Sequence, residues 1–298
     1  MNKNSVILVT GVKGQLGFDC VRELKKRGYK NIIAIDKEEL DITNKNDVDN
    51  YICNLRPSVV MHNAAWTAVD KAEEMPAEAY NVNALGTKYI AEACKKIDAT
   101  LVYISTDYVF SGNGTNFYET NDKKNPLSVY GKSKSDGEDF VITALEKYFI
   151  VRISWVFGIN GNNFIKTILK LAENKDQIDV VNDQFGSLTY TFDLAKLLCD
   201  MIETSKYGIY HATNEGVVSW YDVAQYIVSF AKLSLKVNPI STKDYQAKFK
   251  QANRPLNSRL SKTSLLEKGF NLLPDWHDAV NRFLLNELQI LCNKEGDL

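Results

Sequence analysis

The chain has 298 residues, 45% of them hydrophobic, with thirty-six basic against thirty-seven acidic side chains and a net charge of −1. This balance lacks the positive footprint of a nucleic-acid binder, and the apolar fraction excludes extended disorder. No stretch approaches the roughly eighteen apolar residues of a membrane span, and the apolar run near the start is too brief for a signal-peptide core, so a cytoplasmic protein with a small-molecule partner is expected.

Short apolar runs at residues 5–10, 31–36, 58–63, 100–105 and 148–153 alternate with longer amphipathic segments of three- and four-residue spacing. That alternation predicts βαβ units and an α/β fold with a parallel sheet. Runs such as VILV and NIIAI are apolar on consecutive positions, which predicts helices on both faces of the sheet, a doubly wound Rossmann-like layer. At about 160 the pattern changes. Helices are predicted near 163–173, 192–203, 220–232 and 275–288, with short strand-like pieces between them. The organisation expected is a dinucleotide-binding domain over 1–160 and a smaller, mainly substrate-binding α/β domain over 161–298, with C-terminal segments free to return to the first. The final NKEGDL reads as a loose tail. Five cysteines (Cys20, Cys53, Cys94, Cys199, Cys292) lie far apart without a CxxC pair, which suits core packing better than zinc or disulfides.

The first predicted strand runs into TGVKGQLG, placing Gly11, Gly14 and Gly17 three residues apart where strand turns into helix. There Gly11 permits a tight turn, Gly14 lets backbone N–H groups reach a pyrophosphate, and Gly17 lets the helix pack on the sheet, with Gln15 and Leu16 inside the same turn. Asp36 ends the second strand, placed to accept hydrogen bonds from the adenosine ribose of NAD. Lys37 beside it could instead meet the 2′-phosphate of NADP, and the sequence leaves NADH and NADPH both open. Ala64 and Ala65, after the third strand, are small enough for close approach to a flat cofactor. His62 before them reads as a core residue without a partner. The fourth strand ends in STDYVF, with Thr106 and Asp107 at the sheet edge where ligands of open α/β folds bind. YGKSK puts Tyr130 and Lys134 four residues apart on one helix face. A nearby ammonium and a positive nicotinamide would bring the phenol down from about 10 toward the working pH, so that Tyr130 protonates a developing alkoxide while Thr106 orients the carbonyl.

The residues TGVKGQLG, NAAWTAVDKAE, STDYVF, VYGKSK, SWVFG and NRPLNSRL, in that order, resemble the extended short-chain dehydrogenases, and among them the dTDP-4-dehydrorhamnose reductase family, from Val6 to about Leu273. The resemblance implies NADPH- or NADH-dependent reduction of the 4-keto group of a dTDP-linked 6-deoxysugar, giving dTDP-L-rhamnose for polysaccharide. It also implies Tyr130 as general acid, Lys134 as its support and ribose anchor, and Thr106 as the orienting hydroxyl. Asp107, Tyr108 and Trp155 would line the sugar pocket, Asp41 and Ile42 the adenine, and Ala64, Ala65 and Thr67 the pyrophosphate side. Asn163 and Arg254 would meet the nucleotide end of the substrate. Trp66 and Leu188 depart from the family pattern. Some relatives hold Mg2+ at a dimer contact through glutamates, but Asp19 and Phe192 stand at the corresponding positions, so no metal is expected and a homodimer is left open. Two rivals share the fold: a nucleotide-sugar epimerase or dehydratase, and a non-catalytic regulatory NADP-binding subunit.

Overall fold

A computed structural model describes residues 1–249 and 251–290. The NKEGDL tail and Cys292 lie outside the described residues.

The five apolar runs form β1 (Val6–Thr10), β2 (Asn31–Ile35), β3 (Val59–His62), β4 (Thr100–Thr106) and β5 (Tyr148–Ile153). Between them lie α1 (Gln15–Lys26), α2 (Lys45–Leu55), the short α3 (Val69–Glu74) and α4 (Pro76–Tyr80), α5 (Thr87–Ile97) and α6 (Val129–Ala144). A π-helical turn, Asn81–Gly86, joins α4 to α5. Further along come β6 (Val156–Phe157), α7 (Phe164–Ala172), β7 (Gln177–Val181), β8 (Phe185–Gly186), β9 (Thr189–Tyr190), α8 (Thr191–Ile202) and β10 (Gly208–His211). The remainder is β11 (Asn214–Glu215), β12 (Val218–Ser219), α9 (Trp220–Phe230), β13 (Lys236–Ile240), α10 (Thr242–Lys248), β14 (Asn257–Ser258), α11 (Thr263–Glu267), β15 (Leu273–Asp275) and α12 (Trp276–Arg282).

Six parallel strands make the main sheet in the order β10-β5-β4-β3-β1-β2. β1, β3, β4 and β5 are buried from both sides, as their composition predicts, whereas β2 lies at the sheet edge and buries only Ile35. One core holds Ile7, Val9, Met61, Val102 and Phe149 against Leu24 of α1 and Leu194 and Leu198 of α8. The other holds Leu8, Val60, Leu101 and Ile150 against Ile52 of α2, Ile90 and Cys94 of α5 and Val141 of α6. Residues 191–211 thus come back to the main sheet as α8 and its edge strand β10. A third core, centred on Phe157, Tyr190, Ile227, Trp276 and Phe283, belongs to the later elements.

The order reverses between β1 and β3, whose carboxyl ends open a crevice at this topological switch point. Cys20, Cys94 and Cys199 are buried and Cys53 half-buried, all with free thiols. Among the described residues, no group of three or more His, Cys, Asp or Glu is arranged to hold a metal ion, and no helix is long and apolar enough to cross a membrane.

Candidate active site

The switch-point crevice widens into a cavity of about 810 Å³, walled by the carboxyl edge of the sheet on one side and by residues 153–162 on the other. Gly11, Gly14, Gln15, Leu16 and Gly17 form its floor. Gly11 has φ +68, and a Cβ there would lie 2.7 Å from Ala64 N, so glycine is required both by the turn and by the loop after β3. At Gly17 the reason differs from expectation: a Cβ would lie 2.2 Å from Gly11 O, so this glycine lets α1 pack on its own turn rather than on the sheet. Gly14 caps α1 without a side-chain bond, and its own N–H is spent on Gly11 O at 3.1 Å. The amides that open α1, from Gln15 to Gly17, are therefore the donors presented at a positive helix end, the arrangement a pyrophosphate fits.

Asp36, Asp41, Ile42, Ala64, Ala65 and Thr67 also line the cavity. Asp36 Oδ2 accepts Lys13 N–H at 2.9 Å and Oδ1 accepts Lys37 N–H at 2.9 Å. Its carboxylate thus braces the glycine turn, a role the simple ribose reading did not anticipate. The Ala64–Thr67 loop is fixed from below by two residues the motifs did not single out. Thr10 Oγ1 accepts Ala64 N–H at 3.2 Å. Asn83, in the π-helical turn, accepts Trp66 N–H at 2.8 Å and donates to Trp66 O at 3.1 Å and to Ser133 Oγ on α6 at 3.0 Å. Asn83 lies in an unremarkable helical stretch, so its sequence carried no signal. His62 is in the core as expected, but it has partners: Nδ1 lies 2.9 Å from Thr10 Oγ1 and Nε2 3.2 Å from Thr87 Oγ1. Burial pushes it down to about 3, so it is a neutral strut between strand and helix.

Thr106, Asp107, Tyr108, Tyr130, Lys134 and Trp155 gather at the other end of the cavity. Ser128 caps α6 by accepting Gly131 N–H at 3.1 Å, which starts the helix where Tyr130 and Lys134 share a face over β4. The Tyr130 and Tyr108 rings meet edge to face at 5.5 Å, and Lys134 Nζ stands 4.1 Å over the Tyr103 ring. Burial raises the Tyr130 phenol to about 12, with the Thr106 hydroxyl lowering it and Asp107 raising it. Burial also lowers Lys134 to about 7, against the pull of Glu138. The protein's own groups therefore hold the phenol protonated, the form in which it can give up a proton. Thr106 donates to Asp107 Oδ1 at 2.9 Å and accepts Tyr108 N–H at 3.2 Å, so its hydroxyl is held in place but its proton is engaged. Asp107 is raised to about 6 by burial, while Ser258, Thr106 and backbone hydrogen bonds oppose the rise. Trp155 has φ +50 and stacks on Trp220 at 3.9 Å, a strained backbone held by packing on the pocket wall.

Two predicted substrate contacts stand apart from the wall. Asn163 is spent within the protein, accepting Lys166 N–H at 3.0 Å as the cap of α7 and donating to Gly158 O at 2.9 Å and Gln15 Oε1 at 3.0 Å. It shapes the pocket through Gln15 instead of lining it. Arg254 is ion-paired with Asp70 at 2.8 Å.

A parallel sheet with a glycine turn at its switch point, and a helix carrying Tyr and Lys beside a threonine at the next strand end, define an NAD(P)H-dependent oxidoreductase of the extended short-chain dehydrogenase class. The model of the RmlD substrate binding domain family matches residues 5–289. The chain is 42% identical to dTDP-4-dehydrorhamnose reductase of Aggregatibacter actinomycetemcomitans, an alignment covering 92% of this chain and 96% of that protein. It is 38% identical to the dTDP-4-dehydrorhamnose reductase of Escherichia coli, over 95% and 97% of the two chains. The crystal structure of the Bacillus anthracis dTDP-4-dehydrorhamnose reductase in complex with NADP superposes with a TM-score of 0.90 at 40% identity, covering 95% of this chain and 99% of that one. This chain belongs to the dTDP-4-dehydrorhamnose reductase family.

Proposed function

We propose that this protein is a cytoplasmic reductase that converts the 4-keto group of dTDP-4-dehydro-L-rhamnose to the alcohol of dTDP-L-rhamnose, using NADPH or NADH. The observation that carries the reading is one cavity joining the Gly11–Gly17 cradle to Thr106, Tyr130 and Lys134. The cradle fits a dinucleotide, since Gly11 and Gly17 let the turn close tightly on its own backbone and the α1 amides lie open to it.

In this reading a bound dihydronicotinamide supplies the hydride. Tyr130, held protonated by burial, gives its proton to the oxygen as charge develops there. Lys134 in its ammonium form stabilises the phenolate left behind. Thr106 moves its hydrogen bond from Asp107 to the carbonyl oxygen and orients it. Trp155 and Tyr108 close the sugar end and exclude water. Lys37 and the braced Asp36 set the balance between NADPH and NADH at the adenosine end.

The test follows loss of reduced-nicotinamide absorbance with purified protein and dTDP-4-dehydrorhamnose made in place. Sustained, stoichiometric loss is expected, and none with either cofactor would refute the reading. Tyr130→Phe is expected to lower turnover about a hundredfold while cofactor affinity stays within twofold, in the range for losing a general acid. Equal turnover would remove Tyr130 from the acid role.

A further inference from the structure

Two of the motifs, TAVDKAE and NRPLNSRL, are 180 residues apart in sequence and largely unused by the chemistry above, yet they meet in space. Asp70, at the start of α3, accepts Ala252 N–H on Oδ1 at 2.9 Å and Arg254 Nη2 on Oδ2 at 2.8 Å. Val69 beside it lines the cavity. Three residues on, Glu73 accepts the N–H of Val129, the first residue of α6 and the neighbour of Tyr130, at 2.8 Å. The far end of the same loop is fastened too. Asn257 N–H donates to Gly112 O at 2.9 Å, and Ser258 donates to Asp107. Residues 252–258 thus form a strap, tied by Asp70 at one end and by Asp107 at the other. Asp107, the strap's other tie, lines the cavity beside Tyr108, and Val69 lines it next to Asp70, which brings the pair to the rim of the pocket; the charges of Arg254 and Asp70 both reach the Tyr108 phenol, lowering and raising it respectively.

Because one oxygen of Asp70 is spent on the Ala252 amide, the pair with Arg254 is single rather than a bidentate fork. A guanidinium has five N–H donors, so most of Arg254 stays available to an anion. We propose that Asp70 is a positioning residue, which orders the 252–258 strap and presents Arg254 to the diphosphate of the nucleotide sugar; the inference rests on the reading under Proposed function. A carboxylate that merely competed for Arg254 would have no use for the Ala252 amide.

The test is calorimetric binding of dTDP to the NADP-loaded protein, a readout that needs no turnover. Asp70→Asn is isosteric and half-exposed, and is expected to weaken dTDP by about fivefold, the scale of one exposed charge pair. Asp70→Ala, which also releases the Ala252 amide, is expected to weaken it further, with NADPH affinity within twofold in both. In steady state the loss is expected in KM for the nucleotide sugar more than in kcat. In an Arg254→Met background Asp70→Asn should have little further effect, since coupled residues are non-additive. Unchanged or tighter dTDP binding in Asp70→Asn, or an undiminished effect beside Arg254→Met, would overturn the inference alone. Failure of the unaltered protein to bind dTDP would overturn the nucleotide-sugar reading and this inference with it.

Discussion

At the scale of single residues, the site is a set of polar groups whose ordinary acidities burial has moved in opposite directions. Tyr130 is held high and Lys134 low, so near neutrality the phenol is uncharged and the amine about half-charged. The ammonium form of Lys134 is the working form, because it supports the phenolate. Its depressed pKa means that this form is complete well below pH 7 and is lost as pH rises through about 7. We therefore expect kcat/KM to be highest on the acid side and to fall through neutrality, instead of holding until the ordinary lysine range near 10. Initial rates at low substrate from about pH 6 to 9 read this directly. A flat profile across that range would show that the amine form is competent or that the free-enzyme value is not depressed.

At the scale of elements, what holds α6 on the sheet is a buried ion pair one turn beyond Lys134. Arg152 of β5 donates Nε to Glu138 Oε1 and Nη2 to Oε2, both at 2.8 Å, and both side chains are almost wholly buried. Nη1 donates to Thr120 O at 3.0 Å and lies 3.3 Å from Nε2 of His211, which burial keeps neutral at about 3. Every arm of the guanidinium is thus satisfied. Removing one partner leaves a buried charge unpaired, so Glu138→Ala should cost about 3–5 kcal/mol of stability, measured as a lower midpoint in urea at unchanged slope. A change below about 1 kcal/mol would show that water solvates the guanidinium in place of the carboxylate. This pair also marks where the sequence stops being readable. The strand Tyr148–Ile153 is legible from its apolar run, and α6 from the Tyr130–Lys134 spacing. That Arg152 within the run finds Glu138 across the layer is not, because nothing local encodes a partner fourteen residues away on another element. The two-residue strands and the π-helical turn are likewise too short to leave a period.

At the scale of the whole molecule, the site is where separate stretches of chain converge, and legibility follows the same division. Residues that the backbone geometry itself demands could be read singly: Gly11 at a positive φ, Tyr130 and Lys134 on one helical face. Residues whose role is to hold others could not, and Asn83, Thr10 and Ser258 became visible only once distant segments were together. Asn163 shows the converse, since a residue that the resemblance sets against the substrate caps a helix and supports Gln15. A dinucleotide lying along the cavity would bridge the glycine cradle on the main sheet to Trp155 and Gly161 on the opposite wall. It would therefore stabilise the two walls as one unit. At a hundredfold excess over Kd the gain is about 2.7 kcal/mol, and at roughly 2 °C per kcal/mol for a chain of this size Tm should rise by roughly 5 °C. Gly17→Ala supplies the control, because its Cβ would stand 2.2 Å from Gly11 O and must displace the turn that presents the amides. Thermal unfolding with NADPH and NADH should show the rise in the unaltered protein and little of it in Gly17→Ala. A full rise in that variant would mean that the dinucleotide is held elsewhere, whereas no rise in either protein would leave the cavity without the cofactor its shape and donors imply.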